Sequence, residues 1–408
     1  MRSRSLLFII LLTIILSTRL FFYYDSDQEY EVGREFKKTY SFMHEPKRNE
    51  ISQYFFVDGL FISIPLYPRY TYGDIVDISG RIDKRTTEKG ELLTIENPTI
   101  SKVVSNNPFL FITKFVRERI GEAVMKALPQ KEAGLLLGII LGVRDKIDNE
   151  FYKELRSAGV LHVVAASGQN VSILAALLIV SLQKVVKRKI AILFTGIGIL
   201  FYSVLTGFDP PIVRASVMAI ISFGAVALGR QTSGLLALLL TGWGMVLISP
   251  GLLEDVSFQL SFLATCGIMM IKPILDRIKI PERITLFRDD VTTTISAQIA
   301  TFPLILGVFG TYSLLSLPIN ILILWTVPII MIFGGIGALL SMVSPYLSLP
   351  FIYLSYPFLK YFSVIIDISS HFDNAVGVES LPQALIFGYY LIIFGIVLGL
   401  TRHERREN

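Results

Sequence analysis

Residues 159–171 read GVLHVVAASGQNV, and this stretch decides the fold because polar residues interrupt an otherwise apolar segment. Polar side chains and a helix-breaking Ser-Gly pair are costly in hydrocarbon unless they face a cavity or another helix. His162 and Ser167 are too far apart for one face of a continuous helix, so they converge only if the helix breaks at Ser167 and Gly168. We expect a broken membrane helix here, with Asn170 in the same turn, lining a functional site.

The composition around this stretch is that of a polytopic membrane protein. Hydrophobic residues make up 52% and charged residues 17% of the 408 residues, and the mean hydropathy is +0.59. Several apolar runs are long enough to cross a hydrocarbon core of about 30 Å. The single cysteine excludes an internal disulfide, and the four histidines lack ligand-like spacing, so we expect no metal and no other cofactor.

Hydropathy predicts about ten transmembrane helices. The first, residues 1–24, is an uncleaved anchor because it ends in bulky aromatic residues rather than a cleavage site. The other nine lie near 158–182, 190–208, 211–229, 233–250, 256–274, 292–309, 317–344, 349–370 and 383–401. With this count the inner loops carry Lys or Arg and the outer loops carry none, which places both termini, including the tail 402–408, in the cytoplasm.

Residues 25–105 are different in kind, because they are charged and contain short alternating apolar runs separated by turn residues. This pattern predicts a small OB-like β-barrel on the outer side of the membrane. Such folds can hold single-stranded nucleic acid on a basic, aromatic face. The contact candidates are Tyr54, Arg69, Arg81 and Lys84. In the alternative interpretation the strand aromatics, Tyr54, Phe55, Phe56 and Phe61, simply form the core.

Residues 106–157 predict interfacial helices between the barrel and the bundle. The segment FLFITKFVRERIGEAVMKAL (109–128) mixes apolar and basic positions at helical spacing, as an amphipathic helix on the membrane surface does. EAGLLLGIILG (132–142) is apolar but too short to span, so it dips partway or packs against the bundle. The predicted fold class is therefore mainly α, a membrane helix bundle over 158–401 with the OB-like barrel inserted after the first helix.

Further polar clusters lie inside the predicted spans. In FDPPIVRA (208–215) two prolines start a helix and place Arg214 in its first turns. An inward Arg214 offers a permanent cation suited to phosphate, whereas an outward one would reach the interface. SFQLSF (257–262) brings Gln259 and Ser261 into an apolar span. A last set either lines the site or merely ties helices together: Ser296, Gln298, Thr301 and Asn320.

The order of these blocks resembles the ComEC competence protein family, the inner-membrane channels of natural transformation. Four blocks look like that family's competence-domain blocks, in the family's order: LRSAGVLHVVAASGQNVSIL, DPPIVRASVMAI, SFQLSFLATCGI and ATFPLILGVFGTYSLLSLPIN. The lead-in EAGLLLGIILGVRD is also similar. A β domain after a membrane anchor resembles the N-terminal OB-like region of the family.

The resemblance implies that the chain carries one DNA strand across the cytoplasmic membrane into the cell. The implied partners are single-stranded DNA, the lipid bilayer, a surface DNA receptor, a cytoplasmic motor ATPase and a separate nuclease, with homo-oligomer formation left open. The motifs carry over a set of residues to the channel path: His162, Ser167, Gly168, Arg214, Gln259 and Ser261. Asn170 joins them from its position in the first block.

Two departures from the family pattern affect these expectations. The family's first block often continues Ser-Gly-Leu-His, whereas this chain has Gln169 and Asn170 there, which puts a role for a second histidine in doubt. Many members also carry a C-terminal metallo-β-lactamase-like domain, and its His-x-His-x-Asp-His cluster has no counterpart before Asn408. We therefore expect no enzyme activity, and expect any strand degradation to belong to another protein.

Two other functions remain open from the residues. A transporter of another anionic substrate would use the same arginine and the same broken helix. An intramembrane serine hydrolase would use Ser167 as nucleophile with His162 or His371 as base, although no Gly-x-Ser-x-Gly elbow surrounds the serine. No Walker-type phosphate loop is present in the sequence, so the energy source is a separate motor or the proton gradient.

Overall fold

The protein divides into two compact units, Ser17–Glu122 and Met1–Leu16 with Ala123–Asn408. We call them the sheet unit and the helical unit. The computed structural model describes these residues: 2–25, 32–42, 46–48, 52–57, 59–87, 90–103, 108–164, 167–231, 233–277, 288–372, 375–377 and 382–407.

The sheet unit contains one six-stranded sheet with the order β1-β5-β6-β4-β3-β2. Its strands are β1 (Glu35–Ser41), β2 (Lys47–Arg48), β3 (Ser52–Val57), β4 (Leu60–Pro65), β5 (Ile75–Thr87) and β6 (Gly90–Val103). Alternate residues of the central strands point into a core that includes Phe42, Ile62 and Ile78. The period-2 apolar pattern of the sequence is therefore the inward face of this sheet.

The prediction of a closed OB-like barrel is wrong. β1 pairs with β5 and β2 pairs with β3, and within the described residues the two edge strands do not pair with each other. A single parallel pair, Phe61 with Thr94, joins β4 to β6. Closure requires a consistent tilt and stagger around the whole sheet, and those are long-range properties that alternating hydrophobicity does not encode.

The helix that follows the sheet is fixed to it by a buried charge. Helices α1 (Arg2–Asp25) and α2 (Pro108–Ala127) flank the sheet in sequence. Asp74, which is 4% exposed, accepts from Lys114 of α2 at 2.8 Å and from Lys102 of β6 at 2.9 Å. Its second oxygen accepts from the Thr71 amide at 2.9 Å. The guanidinium carbon of Arg117 lies 4.4 Å from the centre of the Tyr72 ring.

The helical unit contains the remaining helices and a short two-stranded sheet. The helices are α3 (Gln130–Leu141), α4 (Asn149–Ser157), α5 (Leu161–Val164), α6 (Gly168–Gln183), α7 (Arg188–Leu205), α8 (Pro210–Ala227), α9 (Gly234–Ile248), α10 (Val256–Met270), α11 (Lys272–Leu275), α12 (Arg288–Phe309), α13 (Ser316–Leu324), α14 (Thr326–Ser341), α15 (Pro345–Ser370) and α16 (Gln383–Glu407). Strands β7 (Thr311–Ser313) and β8 (Ala375–Gly377) pair antiparallel.

Six helical stretches in the described residues are long and apolar enough to span a membrane, and seven if the bent pair α13 and α14 counts as one span. The predicted total of ten spans is not confirmed. α9, with 15 residues, is about 22 Å long at 1.5 Å per residue, and a hydrocarbon core is about 30 Å thick. The apolar stretch 384–400 of α16 is also shorter than 18 residues. Hydropathy alone predicts a full span at both places.

Helix α3 packs inside the bundle, one of the two alternatives that the sequence left open. Every residue from Glu132 to Leu141 is buried, and α3 contacts α5, α14 and α15. Glycines allow this close approach: a Cβ at Gly138 would lie 2.5 Å from Val164, and one at Gly334 would lie 2.5 Å from Leu136. The helix ends at Gly142, which has a left-handed backbone conformation.

Candidate functional site

The predicted break in the second apolar segment is present. α5 ends at Val164, Ser167 has an extended backbone, and α6 begins at Gly168. The Ser167 side chain makes no capping bond to the first turn of α6. The first N–H groups of a helix have no partner within it, so the break leaves backbone donors at the start of a 16-residue helix.

Arg214 lies beside this helix start. The side chain is 8% exposed, and one terminal nitrogen donates to the Thr265 hydroxyl of α10. A Cβ at Gly168 would lie 2.5 Å from the other terminal nitrogen, so the guanidinium packs directly on the glycine backbone. The Arg214 Nε is buried without a hydrogen-bond partner among the described residues. The arginine thus faces inward and retains an unused donor.

Asn170 holds the broken segment in place. Its Nδ2 donates to the Ile139 carbonyl of α3 at 2.8 Å, and its Oδ1 accepts from Ser167 Oγ at 3.2 Å. Asn170 is fully buried. These two bonds tie the extended residue before α6 to the buried helix α3, so Asn170 is a structural anchor of the site.

A serine pair and a tyrosine complete the buried polar region. Ser203 of α7 and Ser216 of α8 share a hydrogen bond of 2.8 Å, which joins the two helices. The buried hydroxyl of Tyr202 lies close to Asn170 in the same region. The buried apolar neighbours are Val171, Ala175, Ile199 and Ile212. The polar groups therefore sit in an apolar enclosure, where their interactions with a charged ligand are strong.

Three other channel candidates lie outside this cluster of buried groups. Gln259 donates from Nε2 to the Leu253 carbonyl at 2.6 Å and caps the preceding turn. Ser261 contributes its carbonyl, which accepts from Thr265 Oγ1 at 2.9 Å, so it supports the partner of Arg214. His162, on α5, is exposed.

Two of the last four predicted polar residues bond within their own helix. Ser296 and Thr301 donate to carbonyls four residues earlier in α12. Gln298 joins two helices, because its Nε2 donates to Ser316 Oγ of α13 at 3.2 Å. Asn320 is buried, and its Oδ1 has no partner within the described part of the chain.

In the sheet unit the aromatic candidates and the basic candidates lie on different strands and loops. Phe55 is core, but Tyr54, Phe56 and Phe61 lie on the outward face, with the Phe61 ring centre 5.8 Å from Tyr54 and 5.4 Å from Phe56. Arg69 lies over Tyr67 in the loop after β4. On β5, the Nε of Arg81 donates to the Gly33 carbonyl and Lys84 is exposed.

The geometry around Ser167 differs from that of a hydrolase. Its hydroxyl donates to the Asn170 amide oxygen, not to a histidine. His371 lies at the end of α15, where its Nδ1 is 2.7 Å from the Asp367 carbonyl oxygen. Among the described residues, no group of three or more His, Cys, Asp or Glu side chains could hold a metal ion. What the buried site offers is a cation and backbone N–H groups, which are ligands for an anion.

Sequence reasoning missed Thr265, Tyr202 and Glu132. Thr265 could have been found from the sequence, because it is a polar residue four positions after Ser261 in the same apolar span. Glu132 could also have been found, because it is an acidic residue at the start of an apolar run. Their partners are distant in sequence: Thr265 binds Arg214 across 51 positions.

These features define a class: a membrane protein whose helical unit contains a broken helix and a buried arginine. The model of the family described as "Competence protein" matches residues 139–403. The chain therefore belongs to the Competence protein family. It is 25% identical over 208 residues to ComE operon protein 3 of Bacillus subtilis (strain 168), which covers 51% of this chain and 26% of that protein. No solved structure matches significantly.

Proposed function

We propose that the chain forms a channel that carries single-stranded DNA across the cytoplasmic membrane during natural transformation. The buried Arg214 beside the start of α6 is the observation that carries this proposal. Membership of the Competence protein family, the likeness to ComE operon protein 3 and the long apolar helices support it. In this proposal both termini lie in the cytoplasm, and a surface receptor, a cytoplasmic motor ATPase and a separate nuclease are partners.

The chemistry of the site suits a phosphodiester. A polyanion in a low-dielectric layer needs cationic or dipolar groups along its route. Arg214 supplies a fixed positive charge, its Nε is unused, and the adjacent first turn of α6 supplies N–H groups. One cation binds a phosphate without trapping a whole strand, because a channel must also release what it admits.

The outward aromatic residues of the sheet unit provide a separate contact for the strand. Tyr54, Phe56 and Phe61 form a cluster in which Phe56 is 52% exposed. Bases stack on such side chains with little sequence preference, and each stacked base contributes about 1–3 kcal/mol. We propose that this cluster receives bases, while the basic candidates Arg69, Arg81 and Lys84 act apart from it.

The experiment is DNA uptake into the cytoplasm of a deletion strain complemented with variants at equal membrane abundance. Wild type should restore uptake, and Arg214→Ala should abolish it. Arg214→Lys keeps the charge but loses the planar fork, so it should retain part of the rate. Arg230→Ala is the matched control, because Arg230 is exposed just beyond the same helix. Failure of wild type to restore uptake, with surface binding of DNA intact, would refute the proposal.

Salt dependence separates a DNA path from a transporter of a small anion. Binding of single-stranded DNA should weaken with salt, with a logarithmic slope of about −0.7 for each phosphate contacted. Arg214→Lys should leave this slope nearly unchanged, whereas Arg214→Ala should reduce it by about one contact. DNA binding that does not respond to salt would count against phosphate contacts and favour the small-anion transporter.

A further inference from the structure

The buried helix α3 carries a group of charges that the proposed channel path does not use. Glu132 is 3% exposed, and its Oε1 lies 3.3 Å from Lys360 Nζ and accepts from Ser363 Oγ at 3.2 Å. Lys360 and Ser363 both belong to α15. A buried carboxylate needs such partners, because an uncompensated charge is costly in an apolar interior.

The neighbouring residue, Lys131, joins the same helix to two others. Its Nζ binds Glu154 Oε2 of α4 at 3.2 Å and also Asp367 Oδ1 of α15. It lies 4.3 Å from the centre of the Phe151 ring. The first turn of α3 is therefore held by ionic contacts on two sides.

The other end of α3 holds the broken segment. The Ile139 carbonyl accepts from Asn170, and Gly138 packs against Val164, the last residue of α5. Glu132 and Ile139 are two helical turns apart on one rigid element, about 10 Å at 1.5 Å per residue. A shift of α3 at its charged end therefore moves the carbonyl that Asn170 binds.

We propose that Glu132 is a positioning residue: its ion pair with Lys360 seats α3 so that the Ile139 carbonyl, through Asn170, holds the break before α6 open beside Arg214. The inference rests on the proposed function, because it concerns the same site. Glu132 does not touch the transported strand. It sets where the start of α6 lies.

The first test is a double-mutant cycle in the uptake assay. Glu132→Gln weakens a charged contact, and we expect uptake to fall by about tenfold at equal abundance. Because Glu132 acts through Asn170, the double variant Glu132→Gln, Asn170→Ala should be no worse than Asn170→Ala alone. Additive losses would overturn the proposal, since they would mean that the two residues act independently.

Two further variants separate positioning from general stability. Glu150→Gln is the matched control, because it makes the same chemical change at an exposed acid of α4 and should leave uptake unchanged. Ser363→Ala removes one hydrogen bond to Glu132 and keeps the ion pair, so it should give a smaller loss with the same non-additivity. It replaces Glu132→Gln in the cycle if that variant fails to accumulate.

A labelling experiment tests the proposal without transport. In a Cys266→Ser background, Ser167→Cys places a thiol at the break, and its reaction rate with a water-soluble maleimide reports how the segment is held. Glu132→Gln should raise this rate several-fold, and Glu150→Gln should not. An unchanged rate in Glu132→Gln would overturn the proposal. If wild type does not restore uptake but the rate still rises, the channel proposal fails and the positioning role stands.

Discussion

Two buried charges, Asp74 in the sheet unit and Arg214 in the helical unit, are paired to very different degrees. In the sheet unit Asp74 is met by two lysines and the Thr71 amide and hydroxyl. In the helical unit Arg214 has the Thr265 hydroxyl and a glycine backbone, and its Nε has no partner among the described residues. A fully paired buried charge holds a structure together, whereas an incompletely paired one keeps interaction energy for a ligand.

The largest expected effect on stability is at Asp74. Asp74→Ala removes the acceptor that joins β5, β6 and α2, and we expect the free energy of unfolding of the sheet unit to fall by about 2–3 kcal/mol. Hydrogen exchange of peptides from residues 70–115, measured on the full chain in detergent, reports this loss. Asp83→Ala, at an exposed acid of β5, the strand that begins just after Asp74, is the control and should change protection little. Equal protection in the two variants would contradict the structural role of Asp74.

The pH dependence of the same contact has a definite sign. Burial raises the pKa of Asp74, but hydrogen bonds from Lys102, Lys114 and the Thr71 backbone outweigh burial, so the pKa lies below its ordinary value of 3.8. A carboxyl group with a lowered pKa in the folded state stabilises above its ordinary pKa, and the contribution is lost as pH falls through the folded value. Wild-type exchange protection should therefore drop below about pH 4, and Asp74→Ala should lack that acid step.

The next effect separates function from stability at the arginine. Gly168→Ala puts a Cβ 2.5 Å from a terminal nitrogen of Arg214, so the guanidinium must move. The atom that must move is the far end of a flexible arginine side chain, so we expect the variant to keep its fold. Uptake should fall by about tenfold if the displaced arginine costs about 1.4 kcal/mol along the path.

Gly224→Ala is the control for this variant, because it lies on the same helix as Arg214 and a Cβ there meets open space. It should keep full uptake. If Gly168→Ala also keeps full uptake, the close contact between the glycine and the arginine has no role in transport. Thermal unfolding of both variants in detergent checks that neither has lost its fold.

Part of the fold and part of the candidate site could be predicted from the sequence. The break at Ser167 and Gly168 was predictable, because a Ser-Gly pair in an apolar run is a local signal. That Arg214 faces inward was one of two alternatives, since its partner Thr265 lies 51 positions away. The closed barrel failed for the same reason, as strand closure depends on pairings between distant segments. A polar residue in an apolar segment predicts a candidate site residue, but only the tertiary packing shows which neighbour that residue contacts.

The smallest expected effects come from polar groups that the helical unit pairs fully. Pro303 lacks an N–H, so α12 leaves the Ile299 carbonyl without its helical donor. Tyr389 of α16 donates to that carbonyl at 2.9 Å, and Tyr390 donates to the Ala300 carbonyl at 3.0 Å. Tyr389→Phe should therefore lower the free energy of unfolding by about 1 kcal/mol and leave uptake unchanged.

Thermal unfolding of the full chain in detergent measures this loss, with Tyr353→Phe as the control because that tyrosine is 54% exposed on α15. The result bears directly on Arg214. If the helical unit satisfies carbonyls freed by a proline with dedicated hydroxyls, then the buried side-chain atoms without a partner among the described residues, which include the Arg214 Nε and the Asn320 Oδ1, stand in contrast to a paired backbone. A Tyr389→Phe variant as stable as wild type would mean that this bundle tolerates unsatisfied polar groups generally, and the free donor of Arg214 would then not indicate a ligand site.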